Sequence, residues 1–411
     1  MSRVIAFCFL LLSAVLGFLY IDSRPVWAPF QPAIVLVGEE EQAQSSPIKK
    51  SSSVNKSGEA HPQSDWLPDT GAASVHAASL ISLKDGSIRA FWFAGSREGA
   101  LDVVINSAIF DPRSAAWSSP TVVMDRITAE KGLLRYIAKL GNPVPSRSAD
   151  GRLQLFFVTV SIGGWAGSSI STISSDDEGA TWSRPHRLIT SPFTNLSTLV
   201  KSPAIQFTDG RLGLPAYHEW IGRFGEFLRV EFDQVIDKRR MSSGRGAIQP
   251  IVFTDNAEQA TAYFRQTRGG SQSKQIPVSE THNAGQTWTT VGDLEVPNPN
   301  SAIAGLTLPN GIRLLVLNNL EAGRHRLVLL MSGPSDKAKQ WQVVQVLEDD
   351  EVLPDEQRRE FSYPYLITGD GSDAHLVYTW DRKKIRHMHF GLTWLVQLQS
   401  QLKDQKNEGE Q

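Results

Sequence analysis

The sequence predicts an all-β protein, a six-bladed β-propeller. Three observations carry the prediction: six tight-turn dipeptides at near-regular spacing, apolar runs on both sides of each turn, and a proline after a polar residue at the start of four inner runs. The turns are Asp85-Gly86, Asp150-Gly151, Asp209-Gly210, Asp255-Asn256, Asn310-Gly311 and Asp370-Gly371, separated by 65, 59, 46, 55 and 60 residues. Such dipeptides accept the positive φ that two-residue hairpin turns need. One hairpin per roughly 50 to 60 residues fits a four-stranded blade repeated about an axis. A β-sandwich with frequent hairpins is the competing architecture, and the regular spacing argues against it.

The elements follow in chain order. Val4 to Ile21 is an uninterrupted apolar stretch of 18 residues behind Met1-Ser-Arg3. Its length, and the lack of a small-x-small cleavage pattern after it, favour an uncleaved signal anchor over residues 1–21, a transmembrane helix with the membrane as partner. Arg3 favours a cytoplasmic N-terminus, which exports the rest to the periplasmic or extracellular face; cleavage would release a secreted protein. Residues 22–64 read as a linker. Gly38 to Ser64 is rich in Glu, Gln, Ser and Lys, a flexible tether. Pro32-Ala-Ile-Val-Leu-Val37 is a candidate strand that would close the ring against the last blade.

The propeller is expected over residues 65–394. Runs entering the turns begin at His76, Asn142, Ser202, Gln249, Asn300 and Tyr363, with proline next in four of them. Proline is tolerated at the first position of a strand. Runs leaving the turns, such as Ile88-Arg-Ala-Phe-Trp-Phe and Leu153-Gln-Leu-Phe-Phe-Val, are β-branched or aromatic, as buried strands should be. Leu395 to Gln411 is a polar tail, expected to fray.

Composition bounds the function. Lys plus Arg (41) nearly equals Asp plus Glu (43), so no global field points to nucleic acid, and none is expected as a partner. The lone cysteine, Cys8, excludes an internal disulfide framework and a cysteine-based metal site. Eleven tryptophans suit both propeller cores and sugar platforms.

Propeller topology puts the starts of the inner strands and the loops after the second strands on one face. There it gathers His76, Asn142, Ser202, Gln249, Asn300 and Tyr363 with Ser96 to Asp102, Gly163-Gly-Trp165, His218-Glu219-Trp220, Arg265 with Arg268, Asn318 to Arg324, and Trp380-Asp381-Arg382. Arginines, carboxylates, amides and aromatics in convergence are what a pocket for a polar, anionic ligand needs, although a solvated rim is polar too.

The opposite face carries the most specific motif. Ser175-Asp-Asp177-Glu-Gly179-Ala-Thr181-Trp182 fits Ser-x-Asp-x-Gly-x-Thr-Trp, and Thr281-His-Asn283-Ala-Gly285-Gln-Thr287-Trp288 repeats it with conservative changes. Asp or Asn closes a side-chain-to-backbone turn, Gly takes the strained position and Trp plugs between strands. These loops read as structural.

The paired motif is the Asp-box, or bacterial neuraminidase repeat, and residues 65–392 resemble the sialidase superfamily. Ser74-Val-His-Ala, Trp92 to Asp102, Leu140-Gly-Asn-Pro, Asn298-Pro-Asn-Ser and Phe361-Ser-Tyr-Pro-Tyr-Leu-Ile carry the likeness further. The resemblance implies a retaining exo-glycosidase that removes a terminal acidic sugar from a glycan, with a Tyr nucleophile in place of the usual second carboxylate. It matches Tyr363 to the nucleophile and Asp102 to the acid/base catalyst, with Arg97 lining the pocket. Glu219 would activate Tyr363, and Arg265 would join a clamp on the substrate carboxylate, with Arg268, Arg324 and Arg382 as further candidates. Asn142 and Trp165 complete the expected sugar contacts.

One departure stands out. Members of that superfamily open the first inner strand with a clamp arginine, where this chain has His76. Neutral His cannot replace a bidentate guanidinium, so the sugar could be sialic acid, a uronic acid or another acid.

His387-Met-His389 puts two imidazoles on one side of a strand, but without a third ligand it reads as strand surface. No metal and no cofactor are expected. Two alternatives stay open: a non-catalytic propeller binding a glycan or envelope partner through Trp165, Trp220 and Trp380, and a polysaccharide lyase using His76, His218 or Tyr363 as base.

Overall fold

The paired apolar runs form six antiparallel sheets of four or five strands. The computed structural model describes residues 2–22, 27–31, 62–191, 195–269, 274–334, 340–369, 371, 373–391 and 393–400. The first blade runs Ser74–Ser82, Ile88–Gly95 and Val104–Asp111 from the axis outward, then Ala116–Trp117 and Thr121–Met124. The inner elements of successive blades touch all the way round, from Ser74–Ser82 through to Phe361–Ile367 and back, so the sheets close on a central axis. The expectation of a six-bladed propeller is met.

The ring is closed by Gln63–Trp66, which adds as the outermost strand of the last blade with Gln63 opposite His389 and Trp66 opposite Arg386. The candidate strand at residues 32–37 lies outside the described residues. Closure by an N-terminal strand ties the first part of the propeller to the last and removes a free edge.

The core lies between blades rather than around the axis. Phe156, Leu199, Leu214 and Leu228 fill one wedge, and Leu314, Leu329, Leu376 and Tyr378 another, all at most 2 % exposed. Each such side chain contributes about 1.5–3 kcal/mol by leaving water.

The prolines after polar residues have a different role from the one expected. Pro143, Pro250 and Pro364 sit inside strands that begin earlier, at Lys139, Ala247 and Phe361. They lie where the pairing register shifts, between Gly141 and Val144, Ile248 and Ile251, and Ser362 and Tyr365. A bulge leaves one residue unpaired, so a missing N–H costs nothing there. The residue just before each proline has left-handed φ: 44° at Asn142, 49° at Gln249 and 55° at Tyr363.

The Asp-box loops are as self-contained as expected. Asp177 accepts from the Thr181 N–H at 2.8 Å and from the Thr181 and Ser175 hydroxyls, and Gly179 N–H donates to Ser175 Oγ at 2.7 Å. The Thr181 hydroxyl, the Thr181 amide and the Ser175 hydroxyl together lower the Asp177 pKa to about 2. Trp182 packs edge-on against Phe91, and Trp288 of the second box against Phe227.

Three features depart from the sequence reading. Residues 27–31, within the expected linker, are docked beneath the third and fourth blades. Phe30 is fully buried against Phe207 and Phe227, and Trp27 Nε1 donates to Ala284 O at 2.7 Å with the Arg229 guanidinium over its ring. The tail does not fray at once: residues 393–400 are helical, with Leu395 buried and Trp394 stacked on Phe390. An eight-residue helix, Arg126–Leu133, caps on Asp125 between the first two blades.

The N-terminal apolar run is helical over Ser2–Asp22, and its described side chains, at residues 4–16, are exposed. Among the described residues, no helix is long and apolar enough to cross a membrane, so the structure does not support the expected transmembrane anchor.

Candidate functional site

The bulges at the starts of the inner strands aim side chains at the mouth of the central channel, and all six blades contribute to one polar cluster. Tyr363 of the last blade is its centre. Its hydroxyl accepts from Gln249 Nε2 at 3.2 Å and from Arg265 Nη1 at 3.4 Å, both on the fourth blade. Gln249 also donates to the Tyr217 hydroxyl of the third blade at 3.2 Å, and Asn142 of the second reaches the same hydroxyl at 3.3 Å. Arg265 Nε donates to Asn300 Oδ1 of the fifth blade at 2.7 Å. His76 of the first blade packs against Tyr363 with ring centroids 4.2 Å apart and the planes tilted by 53°.

Several of these positions are strained. Ala77, Asn142, Gln249, Asn300 and Tyr363 all have left-handed φ between 44° and 60°. Non-glycine residues hold such angles at a cost of about 1–3 kcal/mol each, and they cluster where geometry serves function.

His76 is 1 % exposed, and neither ring nitrogen has a hydrogen-bond partner among the described residues. Burial, then Arg382, pushes its pKa well below the usual value, so the ring is neutral at physiological pH. The substitution of the expected clamp arginine therefore removes a positive charge.

The remaining arginines divide into two groups. Arg265 bonds only neutral groups. Arg324 and Arg382 both pair with Glu360, at 3.0 Å each, and Arg382 also pairs with Glu98. Burial opposes ionisation of Glu360, but the Ser362 hydroxyl and Arg382 outweigh it and hold its pKa at about 2. This half of the rim is largely neutralised. Arg268 turns away, pairing with Asp293 at 2.9 Å and donating to Gln275 O at 2.7 Å. Arg97 is exposed on the first-blade loop.

The two expected catalytic carboxylates differ. Glu219 is half-buried, and burial raises its pKa against the pull of Arg265 and Arg223. Among the described residues no hydrogen bond joins it to Tyr363; its carboxylate instead lines an open cleft of about 450 Å³ with Trp220, Arg223, Arg245 and Arg268. Asp102 is exposed, and its carboxylate closes its own loop by accepting from Ser96 N and Oγ at 2.9 Å each. The Ser96 hydroxyl and amide lower its pKa. Trp165 lies beside Gly141, where a Cβ would come within 2.8 Å of its ring, and Lys139 Nζ sits 5.8 Å from that ring.

Three residues of the cluster were not singled out from sequence. Tyr217 is visible only as one inward position of the Leu212–His218 strand, and Glu360 as one charge before a strand. Lys201 is 5 % exposed on the axis beneath Tyr363, donates to Ile303 O at 3.3 Å and to Pro364 O, and lies 5.9 Å from the Tyr363 ring. Burial, with help from Arg265, lowers its pKa to about 7. A lysine beside Ser202-Pro203 on an inner strand was the available signal.

In shape, the protein is similar to a protein of unknown function from Dyadobacter fermentans, at 12 % identity over 80 % of this chain and 97 % of that one, with a TM-score of 0.64. A Hadza microbial sialidase superposes with a TM-score of 0.64 at 16 % identity, over 78 % of this chain and 66 % of its own. The Trypanosoma rangeli sialidase in complex with sialic acid gives 0.60 at 13 % identity, over 84 % of this chain and 59 % of its own. The chain thus spans about two thirds of the length of these sialidases. No curated protein matches in sequence. Identities this low speak for a common fold alone. The match of residues 86–376 to the BNR repeat-like domain covers well over half the sequence, and together with the six blades and paired Asp-boxes it means that the chain belongs to the BNR repeat-like family, with a sialidase-like fold.

Proposed function

We propose that the protein is a sialidase-like exo-glycosidase that hydrolyses a terminal acidic sugar from a glycan with Tyr363 as nucleophile. The observation that carries this reading is the Tyr363 hydroxyl, held by a strained backbone at the channel mouth and contacted by Arg265 and Gln249. An anomeric carbon that already bears a carboxylate repels a charged nucleophile, whereas a phenol that loses its proton during attack approaches neutral. Glu219 takes that proton: burial strengthens it as a base, and it must close on the hydroxyl when substrate fills the cleft. The phenolic oxygen bonds the anomeric carbon as the glycosidic bond breaks, and Asp102 protonates the departing oxygen. Water then cleaves the glycosyl-tyrosine, with Asp102 as base. For the first step Asp102 must leave Ser96 and enter a less polar setting, because its present bonds favour the carboxylate.

Arg265, which contacts the Tyr363 hydroxyl and has only neutral hydrogen-bond partners among the described residues, meets the sugar carboxylate. With His76 neutral and Arg324 and Arg382 tied to Glu360, the charge facing that carboxylate is smaller than three unpaired arginines would supply. The same observation favours a second reading, a propeller that binds an acidic glycan without cleaving it.

Fluorogenic sialosides and uronides, assayed with wild type and Tyr363→Phe, separate the readings. Turnover of either substrate that disappears in the variant supports the hydrolase. Glycan binding with no turnover supports the second reading. Turnover that persists in Tyr363→Phe excludes Tyr363 as nucleophile.

We also propose that the apolar run Val4 to Ile21 behind Arg3 exports the propeller and tethers it to the membrane. Protease accessibility in intact and permeabilised cells tests this: a propeller protected until the cytoplasm is opened would refute export.

A further inference from the structure

The last blade carries a second group of chemistry-bearing side chains that the pocket does not use. It lies at the hairpin end of the blade, on the face opposite Tyr363, where Asp373 begins the strand after the Gly371 turn. Asp373 Oδ2 is 3.0 Å from His375 Nε2 and 2.9 Å from His389 Nε2. One ligand atom from each of the three residues lies within 4.8 Å of the others. His375 is directly opposite His389 in the strand register, and their rings stack with centroids 4.5 Å apart and 15° between planes. Behind them His375 Nδ1 is 2.9 Å from His387 Nε2, and His387 is walled by Phe110 and Trp117 of the first blade.

The strand-surface reading of His387 and His389 is therefore incomplete. The third ligand was hidden because Asp373 and His375 come from the neighbouring strand. His387, the member of the pair most buried, lies behind the convergence rather than in it.

We propose that Asp373 Oδ2, His375 Nε2 and His389 Nε2 bind a transition-metal dication, with Zn²⁺ as the natural occupant. Two imidazole nitrogens and one carboxylate oxygen suit Zn²⁺ and its neighbours, whereas Ca²⁺ and Mg²⁺ favour all-oxygen sets. Water completes a tetrahedron. Gly369 N–H holds the other Asp373 oxygen at 2.8 Å, which turns Oδ2 toward the imidazoles. With metal on Nε2, His375 carries its proton on Nδ1 and donates it to His387 Nε2. That outer hydrogen bond fixes tautomer and ring orientation, as metal-ligating histidines generally require. Access is open, since the Asp373 and His389 side chains are 19 % and 32 % exposed. The site is on the wrong face to join chemistry at Tyr363. It clamps the second and third strands of the blade that Gln63–Trp66 closes, with Gln63 paired to His389 itself, so the metal braces the ring closure.

The experiment is Zn²⁺ titration of the chelator-stripped full chain by calorimetry, followed by Co²⁺ substitution and its visible absorption. One metal per chain is expected, with a thermal midpoint that rises as Zn²⁺ is added. Removing a ligand, in Asp373→Asn or His389→Ala, should weaken binding by roughly 100-fold or more, and His387→Ala by about 10-fold, in line with outer-partner losses. His389→Gln is the second choice at that position, and melts of the metal-free variants check that they fold. If wild type takes up no Zn²⁺ at micromolar concentration, or if both ligand variants bind it like wild type, the cluster is only a hydrogen-bonded imidazole stack and the proposal falls.

Discussion

The two faces of the propeller solve the same problem, holding polar groups against a β-sheet, in opposite ways. On the turn face, the Asp-boxes satisfy themselves: Asp177 is bonded to Ser175 and Thr181 within its own loop, which turns through left-handed Glu178, at φ 56°, and Gly179, at φ 90°. On the channel face, strain falls on Asn142, Gln249, Asn300 and Tyr363, none of them glycine. There neither ring nitrogen of His76 has a partner among the described residues, and Lys201 is buried against the backbone carbonyls of Ile303 and Pro364. Local satisfaction stabilises; unsatisfied polar groups held under strain leave bonding capacity for a ligand. The contrast separates scaffold from site within one repeat.

The sharpest way to break that contrast is Tyr363→Phe, which should lower turnover of an acidic glycoside by on the order of 10³-fold or more while shifting the melting temperature little. Steady-state kinetics and a melt check both halves. Glu219→Gln comes next, with kcat down by roughly 10²-fold to 10⁴-fold and the acid limb of the pH–rate profile lost, because the base no longer titrates.

Lys201 sharpens the contrast through pH. Its pKa is about 7 in the folded chain against 10.5 ordinarily, so between those values the unfolded chain binds the extra proton. Stability contributed by this residue therefore rises with pH from about 7 to 10.5 and is lowest below 7. Lys201→Met should flatten that slope in denaturant titrations at pH 6, 8 and 10. The smallest effect belongs to the scaffold. In Gly179→Ala a new Cβ would meet Arg89 Nε at 2.9 Å under unfavourable φ. It should cost about 1–3 kcal/mol in urea unfolding and leave kcat/KM unchanged.

How much the sequence revealed followed the range of the interactions. The hairpins were legible because Asp-Gly and Asn-Gly turns act within four residues, and so were the Asp-boxes, whose turn-closing bonds join residues within four positions. Tyr363, Arg265, Asn142 and His76 were legible as members of one face because strand starts follow from topology. Their pairing was not. That Arg382 of the last blade meets Glu98 of the first, or that Lys201 lies beneath Tyr363, depends on how the ring closes. Trp27 to Gln31 was missed for a related reason: five residues that include Pro29 carry no helix or strand periodicity, and only the groove around Phe207 and Phe227 selects them.

That docked segment also sets a heading. Trp27 is fastened beside Ala284, on the Asp-box side, and the N-terminal helix ends at Asp22. Five peptide steps span at most about 18 Å. On the proposed tethering, the mooring would therefore begin close under the turn face. The channel mouth would then look outward, toward chains that arrive from the far side, and the propeller would have little slack with which to turn over.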